Sequence, residues 1–189
     1  MALTFANKIT ICRILAVPFF ILALLYYTPY RESLRFIALG IFLFAVITDV
    51  IDGYVARTRH QKTPAGKILD PLADKILLIS AFMCLFMARA YLPVIQFPLW
   101  LVVMVISRDI ILIIGTMLIY IFHHTLPMES TRWGKISTFF QVLAVIGMLI
   151  QWKFSVVLWY GVVFFTIISG IDYIRHGIRL LNDHAQEFA

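Results

Sequence analysis

The chain has 189 residues, 62% of them hydrophobic, with a mean hydropathy of +0.93, a net charge of +6 and only 14% charged residues. Soluble domains of this size carry about a quarter charged residues, so a water-soluble globular fold is excluded and the bilayer is the expected solvent. The basic residues are dispersed along the chain in no binding stripe, so no nucleic-acid partner is expected.

Six apolar runs follow in chain order, near residues 11–29, 34–56, 65–88, 97–121, 133–151 and 155–176. Each is long enough to cross about 30 Å of hydrocarbon as a helix. The breaks between them carry turn and charge punctuation, as in TPYRES, RTRHQKTP and QWK. The expected fold is an all-α integral membrane protein with six transmembrane helices. It forms one membrane-embedded domain over residues 1–189, opened by an N-terminal segment 1–10. No cleavage site of small residues follows the first run, which is read as a retained span. Cys12 and Cys84 fall toward opposite ends of different helices and are expected not to pair.

With six spans both termini share one side. That side receives Lys8, Arg13, Arg57, Arg59, Lys62, Lys67, Arg132, Lys135, Arg175 and Arg179, against Arg31, Arg35, Arg89 and Lys153 on the other. The bias places the termini and the 57–64 loop in the cytoplasm of a multi-pass cell-membrane protein, in contact with anionic lipid head groups.

Between the second and third runs lies DVIDGYVARTRHQKTPAGKILDPLADK, residues 49–75. Asp49, Asp52, Gly53 and Ala56 share one face of a helix by their spacing, as do Asp70 and Asp74 on the next. Counted from residue 61, Asp52 and Asp70 lie at matching depth, with Asp49 and Asp74 a turn deeper. Four carboxylates can therefore converge at the cytoplasmic end of a helical hairpin. Each ionised group costs at least ~2.5–3.5 kcal/mol in a bilayer, and like charges repel. Hard oxygen donors suit Mg²⁺, Mn²⁺ or Ca²⁺ rather than zinc or copper, and four carboxylates can hold two ions about 3.5–4 Å apart for phosphoryl chemistry. Gly53, Ala56 and Gly66 leave that face open to a flat group or a phosphate, and Arg57 can contact a phosphate through two donors.

Asp49-x-x-Asp52-Gly53-x-x-Ala56-Arg57, then Gly66-x-x-x-Asp70-x-x-x-Asp74, resembles in full the signature of the CDP-alcohol phosphotransferases. The resemblance implies a six-helix membrane enzyme, generally a homodimer, with a polar cavity open to the cytoplasm. Such enzymes move a phosphoalcohol group from a CDP-linked donor to an alcohol and release CMP. It implies a two-metal site of Mg²⁺ or Mn²⁺ on Asp49, Asp52, Asp70 and Asp74, with Asp74 also the base for the acceptor hydroxyl. Asp52, Gly53, Ala56, Arg57 and Gly66 would line the donor pocket.

Asn7-x-x-Thr10-x-x-Arg13 with Pro18, Gly134-Lys135-x-x-Thr138 and Ser169-Gly170-x-x-Tyr173 resemble landmarks of the phosphatidylglycerolphosphate synthase branch. That implies CDP-diacylglycerol as donor and glycerol 3-phosphate as acceptor, in a basic pocket whose candidates are Arg108, Arg132, Lys135 and Arg13. Asp109 points about 100° around the helix from Arg108, so the two need not pair. Two positions depart from the branch: Asp109 stands for its Glu and Ser137 for its second lysine. Ser107-Arg108-Asp109 resembles the cardiolipin synthases of the same family, whose acceptor is phosphatidylglycerol. A divalent-cation transporter is the competing class, but it would spread polar residues across the membrane, whereas here the outer halves of the spans are apolar.

Overall fold

The computed structural model describes the backbone of residues 5–58, 64–92, 94–123 and 132–187, and the side chains of 11–50, 74–92, 94–115, 132–173 and 175. Among these residues there are six α-helices and no strand: α1 (Phe5–Leu25), α2 (Glu32–Thr58), α3 (Pro64–Met87), α4 (Leu99–His123), α5 (Arg132–Ile150) and α6 (Ser155–Glu187). A short 3₁₀ turn, Ala88–Tyr91, follows α3. All six expected apolar runs are helical. The largest differences are at the ends: α1 begins earlier than its run, and α6 continues to Glu187, because a hydropathy run measures hydrocarbon thickness and a helix need not stop there. Glu32 sits in the first turn of α2, where a negative charge meets the positive end of the helix dipole. Pro64 opens α3, where a missing N–H costs no hydrogen bond.

The chain is an all-α integral membrane protein. Among the described residues Glu32–Val50, Arg132–Ile150 and Ser155–Tyr173 are each long and apolar enough to cross a membrane, and Ile11–Leu25 is a shorter apolar helix. Large apolar side chains stand outward along them, including Phe19, Leu22, Phe36, Phe44, Phe164 and Ile171. In water such surfaces would drive association; in lipid they are the solvated face. Because lipid tails are as apolar as leucine, helix association here rests on packing and internal hydrogen bonds.

The chain divides into two compact units. The first comprises residues 1–97 and 145–153. In it α1 packs against both α2 and α3. Val17, Phe20 and Leu24 recur at helical spacing on the buried face of α1, as do Ala38, Phe42 and Ala45 on α2 and Leu78, Ala81, Phe82 and Leu85 on α3. The fully buried alanines allow close approach, and the Phe20 and Phe42 rings meet at 5.9 Å.

The end of α5 in this unit carries a Schellman-type stop. Gln151 adopts the left-handed conformation with φ 61°; its N–H donates to the carbonyl of Met148 and that of Trp152 to Gly147. A non-glycine residue is strained there by roughly 1–2 kcal/mol. Its side chain offsets the strain: Nε2 donates to the Met148 carbonyl, and Oε1 accepts from the Val94 and Ile95 N–H groups at 3.0 and 3.2 Å. Gln151→Ala should therefore lower stability by about 2–4 kcal/mol, because it strands two amides and keeps the strain. Gln151→Gly loses the same bonds but relaxes the backbone, and should cost about 1 kcal/mol less. Equal unfolding midpoints for Gln151→Ala and wild type in detergent would remove this clasp as a source of stability.

The second unit comprises residues 98–144 and 154–189. Here α4 packs on α6. The Phe140 and Phe165 rings stack at 4.7 Å, joining α5 to α6. Gly161 lets Phe140 lie against the α6 backbone, since a Cβ there would fall 2.8 Å from the ring.

Candidate active site

Both halves of the acidic signature stand on helices. Asp49 to Arg57 occupy the C-terminal end of α2, and Gly66 to Asp74 the N-terminal half of α3. The side chains of Asp52, Gly53, Ala56, Arg57, Gly66 and Asp70 lie outside the described residues. Those of Asp49 and Asp74 are described, and a third helix joins them. Arg13 of α1 places Nη1 2.8 Å from Asp49 Oδ1 and 2.5 Å from Asp74 Oδ1. One nitrogen thus draws together carboxylate oxygens from α2 and α3, no farther apart than the two contacts together. The arginine is 1% exposed, whereas the two carboxylates keep 40% and 34% of their side-chain surface. The cation is buried, while the two carboxylate side chains remain partly open.

This donor set fits a divalent ion. Its atoms are carboxylate oxygens that already converge on one cationic centre, the arrangement hard ions such as Mg²⁺ and Mn²⁺ require. Among the described residues no group of three or more His, Cys, Asp or Glu side chains gathers, and two of the four expected ligands, Asp52 and Asp70, lie outside them. Cys12 and Cys84 are both free, Cys12 exposed and Cys84 buried, matching the expectation that they do not pair.

The second unit holds a separate polar cluster. Arg108 on α4 is 7% exposed and donates from Nη1 to Asp109 Oδ1 at 2.6 Å, while Nη2 donates to Ser169 Oγ on α6. Arg108 and Asp109 do pair, against the expectation from their spacing: adjacent residues leave the helix at different angles, but the long arginine side chain curls back. In a buried setting the nearest carboxylate is its cheapest partner. Asp109 is itself fully buried, so the pair is internally neutral. A hollow of about 220 Å³ adjoins Arg108 and is lined also by Ser107, Ile111, Thr166, Gly170 and Tyr173. The Ser107 hydroxyl donates to carbonyls of its own helix, Val103 and Met104.

Arg132 and Lys135 stand exposed in the first turn of α5. Ser137, one turn on, is fully buried with its hydroxyl 3.2 Å from that of Thr166. A lysine at this position would have to displace that contact, so the departure at residue 137 is part of the α5–α6 packing. Sequence reasoning missed three members of this interior: Thr166, Ser169 as the partner of Arg108, and Gln141, whose fully buried amide has no hydrogen-bond partner on either atom among the described residues. The signal was present, since Ser137-x-x-x-Gln141 is a polar pair at helical spacing inside an apolar span, where such residues are costly.

The CDP-alcohol phosphatidyltransferase family pattern matches residues 3–168. The chain is 33% identical over 181 residues to a probable phosphatidylglycerophosphate synthase of Mycobacterium tuberculosis, covering 92% of this chain and 81% of that one. It is 33% identical over 185 residues to a CDP-diacylglycerol–glycerol-3-phosphate 3-phosphatidyltransferase of Haemophilus influenzae, covering 94% and 95%. Against a human cardiolipin synthase (CMP-forming) it is 42% identical over 96 residues, covering 50% and 29%.

Proposed function

Because this chain belongs to the CDP-alcohol phosphatidyltransferase family and is an enzyme of that class, we propose that it transfers the phosphatidyl group of CDP-diacylglycerol to sn-glycerol 3-phosphate. The products are phosphatidylglycerophosphate and CMP. The observation that carries the reading is the meeting of Asp49 and Asp74, from opposite ends of the signature, at the one Arg13 nitrogen. The relatives named for this reaction support the acceptor, since each aligns over most of both chains.

The acceptor hydroxyl attacks the lipid-bearing phosphorus of the donor, and the bond to the oxygen leaving with CMP breaks. Asp74 takes the hydroxyl proton. Asp49, Asp52, Asp70 and Asp74 would hold two Mg²⁺ or Mn²⁺ ions, whose chemistry is to neutralise the pyrophosphate and the departing CMP. Asp52, Gly53, Ala56, Arg57 and Gly66 hold the cytidine diphosphate, the small residues admitting it to the backbone and Arg57 pairing with phosphate. Arg132 and Lys135, exposed at the start of α5, with Arg108, supply cations for the acceptor phosphate, whereas the Arg13 guanidinium is held by Asp49 and Asp74.

The whole chain acts as one catalytic domain that crosses the membrane six times, with the catalytic hairpin 49–75 and both termini cytoplasmic, and works as a homodimer. The basic bias of the loops supports this orientation.

A second reading, phosphatidylglycerol as acceptor and cardiolipin as product, is favoured by the likeness to cardiolipin synthase over half the chain and by a buried serine at position 137. The test supplies purified protein with labelled CDP-diacylglycerol and Mg²⁺, with glycerol 3-phosphate and phosphatidylglycerol in separate reactions. Phosphatidylglycerophosphate in the first tube is expected. Cardiolipin in the second, with nothing in the first, would establish the second reading. No CMP in either would overturn both.

A further inference from the structure

We propose that Arg13 is the built-in counter-ion of the Asp49–Asp74 pair and competes with a divalent cation for it. The inference rests on the reading that these carboxylates hold metal. Its observation is positional: Nη1 lies within 2.8 Å of one Oδ1 and 2.5 Å of the other, the place a bridging cation would take. A divalent ion needs oxygens at about 2.0–2.6 Å, so the ion and the guanidinium nitrogen cannot both stand between the same two atoms.

Two further observations set the direction of the exchange. Arg13 is 1% exposed and its Nε has no hydrogen-bond partner, so among the described residues the two carboxylates are what hold the guanidinium. The carboxylates keep 40% and 34% of their surface, so a cation arriving from outside can reach them without passing the buried guanidinium. Each cation attracts both carboxylates and lets them stand close together, and each cation repels the other. Arg13 is in this sense a positioning residue. It keeps the oxygens of α2 and α3 converged, and in doing so it weakens the affinity for metal.

The competing possibility is that Arg13 supports a bound ion from behind, through carboxylate oxygens that the ion does not use. The two differ in sign. Purified full-length protein is stripped with chelator, and Mn²⁺ is titrated while the free ion is followed by electron paramagnetic resonance. No substrate is present. Arg13→Gln should bind Mn²⁺ roughly tenfold more tightly than wild type, because a neighbouring positive charge is gone. Arg13→Lys, which keeps the charge on a shorter and more mobile stem, should fall between the two. Without divalent cation Arg13→Gln should unfold at a lower temperature than wild type, and millimolar Mg²⁺ should close most of that gap. A packing role alone would lower both midpoints equally.

Unchanged or weaker Mn²⁺ binding in Arg13→Gln, with saturable binding in wild type, overturns the competition and leaves the metal reading standing. If Arg13→Gln does not fold, weaker binding in Arg13→Lys has the same force. No saturable binding to wild type would overturn the metal reading and this inference together.

Discussion

Replacing Asp74 by Asn is expected to slow CMP release by roughly 10³-fold or more, since one change removes both a general base and a metal ligand. The side chain keeps its shape and an amide oxygen that can still accept from Arg13 Nη1, and Asp49 remains as the opposite charge. The helices should therefore stay together. The measurement is single-turnover CMP release beside a thermal unfolding curve. A rate near wild type in Asp74→Asn would end the two-metal proposal, and Asp70→Asn provides the parallel case on the same helix. A lost rate with a collapsed unfolding midpoint would instead mark Asp74 as a structural partner of Arg13.

The second large effect concerns stability. Arg108→Leu should destabilise the protein by about 3–5 kcal/mol, because it leaves the buried Asp109 carboxylate without its 2.6 Å cation. The double change Arg108→Leu with Asp109→Asn should recover most of the loss, since a buried pair removed whole costs far less than half a pair. Urea unfolding of the two variants in the same detergent decides it. A single variant as stable as wild type would mean that Arg108 does not neutralise Asp109. The neutrality of the pair also bears on chemistry: the hollow beside it offers hydrogen bonds with little net charge, which leaves the exposed Arg132 and Lys135 as the stronger attractants for a phosphate.

How much of this the sequence disclosed depends on the distance over which each feature is determined. All six helices were legible as apolar runs, because the length needed to cross hydrocarbon is a local property. The limits of α1 and α6 were not, because polar residues such as Arg179, Asn182 and Asp183 extend a helix beyond its apolar run without altering hydropathy in its favour. The grouping of Asp49 with Asp52, and of Asp70 with Asp74, followed from helical spacing. The contact of Arg13 with Asp74 spans 61 positions, and no periodicity within one element can reveal it. For Arg108 the failure was of another kind. The angle between neighbouring Cα–Cβ directions says little about an arginine, whose charge sits several bonds further out. Gln141 and Ser137 were visible as polar residues in a span, but only packing identified Thr166 as the partner of Ser137.

The bridge from Arg13 to α3 also has a consequence for the order in which the protein is made. Arg13 leaves the ribosome with the first helix, and Asp74 follows 61 residues later, a delay of about 3–12 s at ordinary elongation rates. Through that interval the N-terminal part of the first helix carries a charge whose second partner has not been synthesised. The contact that ties α1 to α3 can therefore form only after the third helix has been made, and until then water or Asp49 alone must meet the Arg13 charge.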